Sequence, residues 1–258
     1  MYKPDRDAVE EIVASLKQSM SQSIEYLVPW FYSSMPDYYY FSTSRQERVE
    51  HLHAILTNRV LENKQTAILT SQDGSKTTYI ASAQNPRIVS DLCRQLGSRE
   101  VREGEITTSP DGLVLPASFT VDNPAGSSLD DPAAQKRVAE ISAAGKADKV
   151  SVEEVKSLLA RTRPAYLSKS ADIRVLRHLL MLRRMANPRL CRAMAIDFDN
   201  TAYKETTRIQ IGCRTRSRTE TLLRIGRVLE SFGVRILRGY ADSFGEEGNE
   251  SVYIVSLY

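Results

Sequence analysis

Between Thr207 and Arg214, apolar Ile209, Ile211 and Cys213 alternate with polar Arg208, Gln210 and Arg214, the period of two that a half-buried strand imposes. The period then changes. Leu222, Leu223, Ile225, Val228, Leu229 and Phe232 recur at helical spacing behind a capping box of Ser217 and Glu220, and Gly233 stops the run. Val234, Ile236, Arg238 and Tyr240 predict a further strand, Gly245–Asn249 a turn, and Val252, Ile254 and Leu257 its hairpin partner, while the apolar run 193–198 supplies a strand ahead of Thr207. The same order is predicted earlier. Ala67–Thr70 and Thr77–Ala81 flank Asp73-Gly74, and a helix opens at Asn85-Pro86 and ends at Gly97. Glu100–Thr107 and Leu113–Val121 then return around Pro110-Asp111-Gly112. The chain therefore reads as an internal repeat of two ββαββ modules, α+β in class with antiparallel sheets.

Helices are expected to join and cover these modules. Val9, Ile12, Val13, Leu16, Met20, Ile24 and Leu27 keep to one face of a helix over Asp5–Val28, which Pro29 should end. Trp30 to Phe41 reads as an aromatic loop plugging the seam between that helix and the first module, in preference to an exposed docking surface. Ser44 with Glu47 and Ser151 with Glu154 are capping boxes; further helices are predicted over Ala133–Ile141 and Ala171–Met185. Asp122–Asp131, rich in Pro, Gly, Ser and Asp, reads as a linker. The expected divisions are 1–65 (helices and aromatic loop), 66–122 (first module), 123–190 (linker and connector helices) and 191–258 (second module).

The composition narrows the function classes. With 258 residues, 41% hydrophobic and 26% charged, the chain has an ordinary globular make-up. No apolar run approaches the roughly 20 residues that span a bilayer, and no basic-then-apolar signal opens the chain, so a cytoplasmic protein without a membrane partner is expected. Cys93, Cys191 and Cys213 are odd in number, widely spaced and set in apolar patterns, which predicts buried free thiols and no metal site. His51, His53 and His178 fall within predicted helices as solvated or core-edge residues. The net charge of +3 does not imply nucleic acid, although eight arginines crowd 161–192.

Chemistry-bearing motifs are sparse. Asp197-Phe198-Asp199-Asn200-Thr201 after an apolar strand has the Asp-x-Asp-x-Thr spacing of the haloacid dehalogenase phosphotransferases. Only some 57 residues follow, however, too few for a doubly wound domain, and a hairpin turn at Asn200 accounts for it. With no phosphate loop, dinucleotide fingerprint or catalytic triad in the sequence, a binding or regulatory role is the natural expectation. In modules of this kind the strand-to-helix turn offers free backbone N–H groups and a positive helix end, both suited to a carboxylate. The candidate ligand-binding residues are Gln84 and Asn85 in the first module and Arg214, Arg216 and Ser217 in the second; no catalytic or metal-binding residue is assigned.

Met35-Pro36-Asp37-Tyr38-Tyr39-Tyr40-Phe41, the helix from Ser44, the hairpin Leu69–Ile80 and the segment Leu229–Asp242 together resemble the N-terminal region of the large NAD-dependent glutamate dehydrogenases. That resemblance implies ACT-like, ferredoxin-like modules that regulate the enzyme or assemble its subunits. It also implies an amino-acid effector and a downstream dehydrogenase domain as partners, and the sheet edges left open by such small modules invite pairing into a homo-oligomer. The parent reaction is oxidative deamination of glutamate to 2-oxoglutarate, with NAD as the parent enzyme's cofactor. This segment holds none of the catalytic core and no cofactor of its own; it is expected to be a truncated piece of the longer enzyme, its second module incomplete. The alternative expectation is a stand-alone RNA-binding module with an arginine-rich connector, disfavoured because the central strands carry mainly Ile209, Ile211, Val234 and Ile236 rather than stacking rings.

Overall fold

The computed structural model of the chain describes residues 14, 24–62, 65–83, 87–97, 99–109, 111–112, 115–121, 131–162, 166–167, 170–187, 194–201, 205–245 and 251–258. Most of the expected first helix, nearly all of the 122–131 linker, Cys191, Gln84 and Asn85 lie outside them. The helix α1 (Ile24–Ser34) runs through Pro29 instead of ending there. A proline at the sixth helical position removes one main-chain hydrogen bond, and the burial of Val28, Phe31 and Tyr32 around it offsets that loss. The aromatic stretch is correspondingly helical, not a loop, because α2 (Asp37–Ser42) follows almost at once. Phe31, Tyr32, Tyr39 and Tyr40 face inward. Phe31, Tyr32, Met35, Tyr39 and Tyr40 form one core with Leu52 and Ile55 of α3 (Arg45–Thr57), Ala67 of β1 (Ala67–Thr70) and Ile80 of β2 (Lys76–Ala81). Phe31 and Tyr39 meet edge-on with centroids 5.6 Å apart. The capping box closes as the sequence implies, with Glu47 N–H donating to Ser44 Oγ and Ser44 N–H to Glu47 Oε2.

After β2 come α4 (Ile88–Leu96), β3 (Val101–Thr107), β4 (Leu115–Val121), α5 (Pro132–Ala144), α6 (Val152–Leu159) and α7 (Asp172–Ala186). The chain ends in β5 (Met194–Asp199), β6 (Arg208–Thr215), α8 (Arg218–Ser231), β7 (Arg238–Phe244) and β8 (Ser251–Leu257). The strand order is β1-β2-β4-β3-β7-β8-β6-β5, and the pairs β1/β2, β5/β6, β6/β8 and β7/β8 are antiparallel. The protein is thus α+β, with one eight-stranded sheet in which each half of the chain places its strands in the order first, second, fourth, third.

The expected strand over 234–240 begins four residues late. Gly233 takes φ +63° at the end of α8, and Val234 N–H turns back to Leu229 O, the pairing that closes a helix C-terminus. The carbonyls of Ile236 and Leu237 are spent on Thr108, on its hydroxyl and its N–H respectively. Val234 and Ile236 therefore lie outside the sheet, and the central strands carry Tyr240, Phe244 and Tyr253 beside Ile209 and Ile211, all three rings buried.

The described chain divides into two compact units, each drawn from three stretches: residues 1–95, 105–119 and 223–238 in one, 96–104, 120–222 and 239–258 in the other. In the first unit α4 and the later turns of α8 pack so closely that a Cβ on Gly226 would lie 2.7 Å from Val89 Cγ1. In the second, α5, α6 and α7 supply Ile141, Val155, Leu159, Val175, Leu179 and Met185 to a core shared with Ala195, Phe244, Val252 and Ile254.

Candidate functional site

The turn between β6 and α8 is built by its own hydroxyls. Thr215 Oγ1 accepts from Ser217 N–H at 3.1 Å and meets Thr221 Oγ1 at 2.8 Å, which holds the chain in the bend where the strand stops. The first N–H groups of α8 then point out with no partner in their own helix. They do not point at solvent. Glu100, immediately before β3, delivers its carboxylate to them: Ser217 Oγ donates to Oε1 at 2.8 Å and Arg218 N–H to Oε2 at 2.7 Å. Arg218 Nε adds a cationic contact at 3.5 Å, and Glu220 N–H donates to Ser217 Oγ at 3.3 Å. One residue on, Thr219 Oγ1 donates to Arg99 O and accepts from Val101 N–H. The turn is thus a carboxylate-chelating site, and its occupant belongs to the same chain.

Of the expected ligand-binding residues, Ser217 is at the centre of this arrangement. Arg214 is exposed and donates from its guanidinium to Met185 O at 3.3 Å, while Arg216 is exposed on the turn itself. Gln84 and Asn85 fall outside the described residues. Just beyond them the first-module helix repeats the theme, because Ser90 N–H, in the first turn of α4, donates to Glu230 Oε1 at 3.2 Å. The sequence reading missed Glu100, Arg218, Thr219 and Glu230. Their only signal was an acid beside a predicted strand or a helix end, a pattern found on most surfaces.

The remaining polar groups are largely committed to one another. Asp197 and Asp199 both reach the buried Arg208 guanidinium, at 3.1 and 3.3 Å, and Asp199 Oδ1 accepts from the N–H and hydroxyl of Thr201. The Asp-x-Asp-x-Thr stretch is therefore an ion pair and a turn, as its hairpin reading implies. Arg183 donates to Glu154 and to the carbonyls of Asp148 and Lys149, and Arg184 to Ile196 O. Burial pushes the Cys93 thiol up to about 12, with Glu230 adding to it, and the Cys213 thiol up to about 11, which keeps both protonated and unreactive at neutral pH.

Two histidines are more buried than expected. Tyr39 Oη lies 2.7 Å from His51 Nδ1 in the first unit, and Tyr166 Oη lies 2.7 Å from His178 Nδ1 in the second. Beside the second pair, Arg174 bonds Asp242 Oδ2 at 2.5 Å and stacks over the Tyr240 ring at 3.9 Å from its centroid. Among the described residues no group of three or more His, Cys, Asp or Glu could hold a metal ion, and no helix is long and apolar enough to cross a membrane. No protein-family model matches the chain, and no curated protein matches it.

Proposed function

We propose that this chain is the N-terminal regulatory and assembly region of an NAD-dependent glutamate dehydrogenase, built from two ACT-like modules and acting on a downstream domain that deaminates glutamate to 2-oxoglutarate. The observation that carries the regulatory reading is the Glu100 carboxylate in the α8 turn. A site of that chemistry recognises the carboxylate of an amino acid, but here a tethered side chain fills it at an effective concentration on the order of millimolar. An effector must displace Glu100 to enter, so assembly dominates over effector binding in the resting protein. The edges support the same role. β5 stands at the end of the strand order and exposes Met194, Ile196 and Phe198 on alternate positions, a row that a second copy would cover.

The experiment is light scattering on the whole chain beside calorimetric titration with amino acids and 2-oxoglutarate. The expected results are a defined homo-oligomer, its dissociation on Ile196→Lys, and no heat from the wild type. Glu100→Ala should then reveal saturable binding of a carboxylate ligand. A wild-type monomer, unaltered by Ile196→Lys, would remove assembly as the role, and a Glu100→Ala chain that still takes no ligand would remove the effector site.

A further inference from the structure

The two buried tyrosine–histidine pairs share more than a bond length. Each tyrosine precedes its histidine by twelve residues, and the second pair lies 127 positions beyond the first, Tyr166 after Tyr39 and His178 after His51. The same offset carries the N-cap Ser44 of α3 onto the N-cap Ala171 of α7, and the buried Leu52 and Ala54 onto the buried Leu179 and Met181. It carries the start of β1 at Ala67 onto the start of β5 at Met194. Beyond the strands the order is common to both halves: hairpin, helix, hairpin, with strands first, second, fourth, third. Helix α3 and its tyrosine cover β1 and β2 in one core, while α7 and its tyrosine share another with Ala195, Phe244, Val252 and Ile254.

We propose that the chain is a tandem duplication of a unit running from Tyr39 through β4 and again from Tyr166 through β8, and that the buried Tyr–His hydrogen bond in each copy is a proton-operated latch holding the helical cover on its own sheet.

The surroundings of each ring say why a proton would open it. His51 is buried between Tyr39 of α2, Glu47 on its own helix and Lys76 of β2, and Glu47 already ion-pairs with Lys76. His178 is fully buried among Tyr166, the Phe244 ring and Arg174 and Arg177 of its own helix. Asp242 of β7 is the acid facing it. Its Oδ2 stands 3.9 Å from His178 Nε2, beyond hydrogen-bonding reach, and is bound to Arg174. Both nearby acids are therefore committed, and an imidazolium in either place would be a core charge without a free counter-ion. Burial, with Lys76 adding to it, lowers His51 to about 4. Burial with Arg174 and Arg177 lowers His178 well below its ordinary value. Burial likewise raises both tyrosines well above their ordinary range, so each keeps its proton to donate to Nδ1.

The sign follows from these directions. An unfolded imidazole takes its proton near pH 6.5, and a latched one only well below that, near 4 for His51, so the opened state binds more protons in between. Stability from the latch is complete above about pH 6.5 and falls as pH falls. The opening constant of each cover rises about tenfold per pH unit. In the first copy the loss ends near pH 4.

Hydrogen exchange by NMR on the whole chain, corrected for intrinsic rates, tests this between pH 6.5 and 4.5. The expected result is that amides of α3 and α7 both show the tenfold rise. His51→Gln should flatten it in α3 alone, and His178→Gln in α7 alone. Imidazole nitrogen shifts at neutral pH should place the lone pair on Nδ1 in both rings. Tyr39→Phe and Tyr166→Phe keep the ring volume and serve if a glutamine variant does not fold. Losing the donated hydrogen bond should raise the opening constant of its own copy at pH 6.5 and end the pH-linked loss at a higher pH. A slope that survives His→Gln, or an opening constant at pH 6.5 unmoved by Tyr→Phe, overturns the latch; a slope in one copy alone overturns its duplication.

Discussion

Glu100 caps a helix to which it does not belong, and that single side chain binds the start of β3 to the start of α8. Two N–H or O–H donors and one guanidinium converge on its carboxylate at a positive helix end. Glu100→Ala should therefore cost about 1–2 kcal/mol, the range for losing a helix cap. Glu100→Gln, which keeps an acceptor but not the charge, should cost less than half of that. Urea unfolding checks both, through a lower midpoint at unchanged slope. Gly226 is the opposite case, a residue that matters for what it lacks. A Cβ there would lie 2.7 and 2.8 Å from Val89 Cγ1 and Cβ, so Gly226→Ala should destabilise by about 1–3 kcal/mol despite the better helix propensity of alanine. Adding Val89→Ala should recover part of that loss, a coupling that a double-mutant cycle measures.

At the scale of the element, α3 is tied to β2 by one acid serving two purposes. Burial would raise the Glu47 carboxyl, but the hydrogen bond from Lys76 and the backbone N–H of Ser44 overrule it and hold it down to about 2. An acid lowered in the folded state contributes stability above the unfolded value of about 4.5, and that stability is lost as pH falls toward 2. Glu47→Gln should flatten the acid-unfolding curve in that window while leaving the histidine-linked loss between pH 6.5 and 4 in place. The elements themselves were mostly legible, because ββαββ periodicity and two capping boxes are local signals: Ser44/Glu47 and Ser151/Glu154 closed as their spacing implied. The misplaced elements failed for non-local reasons. Pro29 is carried through its helix by the core beneath it, and residues 234–237 are held out of β7 by Thr108. The Tyr–His pairs escaped sequence reading because only two identical residues mark them, twelve positions apart and outside the recognised repeat.

In the whole molecule, the division into compact units does not follow the order of the chain. The first unit, which holds α1 to α4, also takes residues 223–238 from the second ββαββ run. Those residues are not incidental. Glu230 receives the Ser90 N–H of α4, Gly226 lets Val89 close against α8, and Ile236 and Leu237 hold Thr108 through its hydroxyl and its N–H. A module boundary near 190, natural from the sequence because the second strand-helix-hairpin run begins just after it, would strip the first unit of these contacts and expose the apolar faces of α4. A fragment of residues 1–190 should therefore be poorly folded alone, with broad amide dispersion lost and rapid proteolysis. Adding the separate fragment 191–258 should restore dispersion and protection, since the missing contacts are non-covalent. Mixing should fail with a 191–258 fragment carrying Gly226→Phe, whose ring cannot fit against Val89. If residues 1–190 alone gave the full native spectrum, the shared helix α8 would be ornament rather than structure. The duplication would then have produced two independent domains instead of two units that exchange segments.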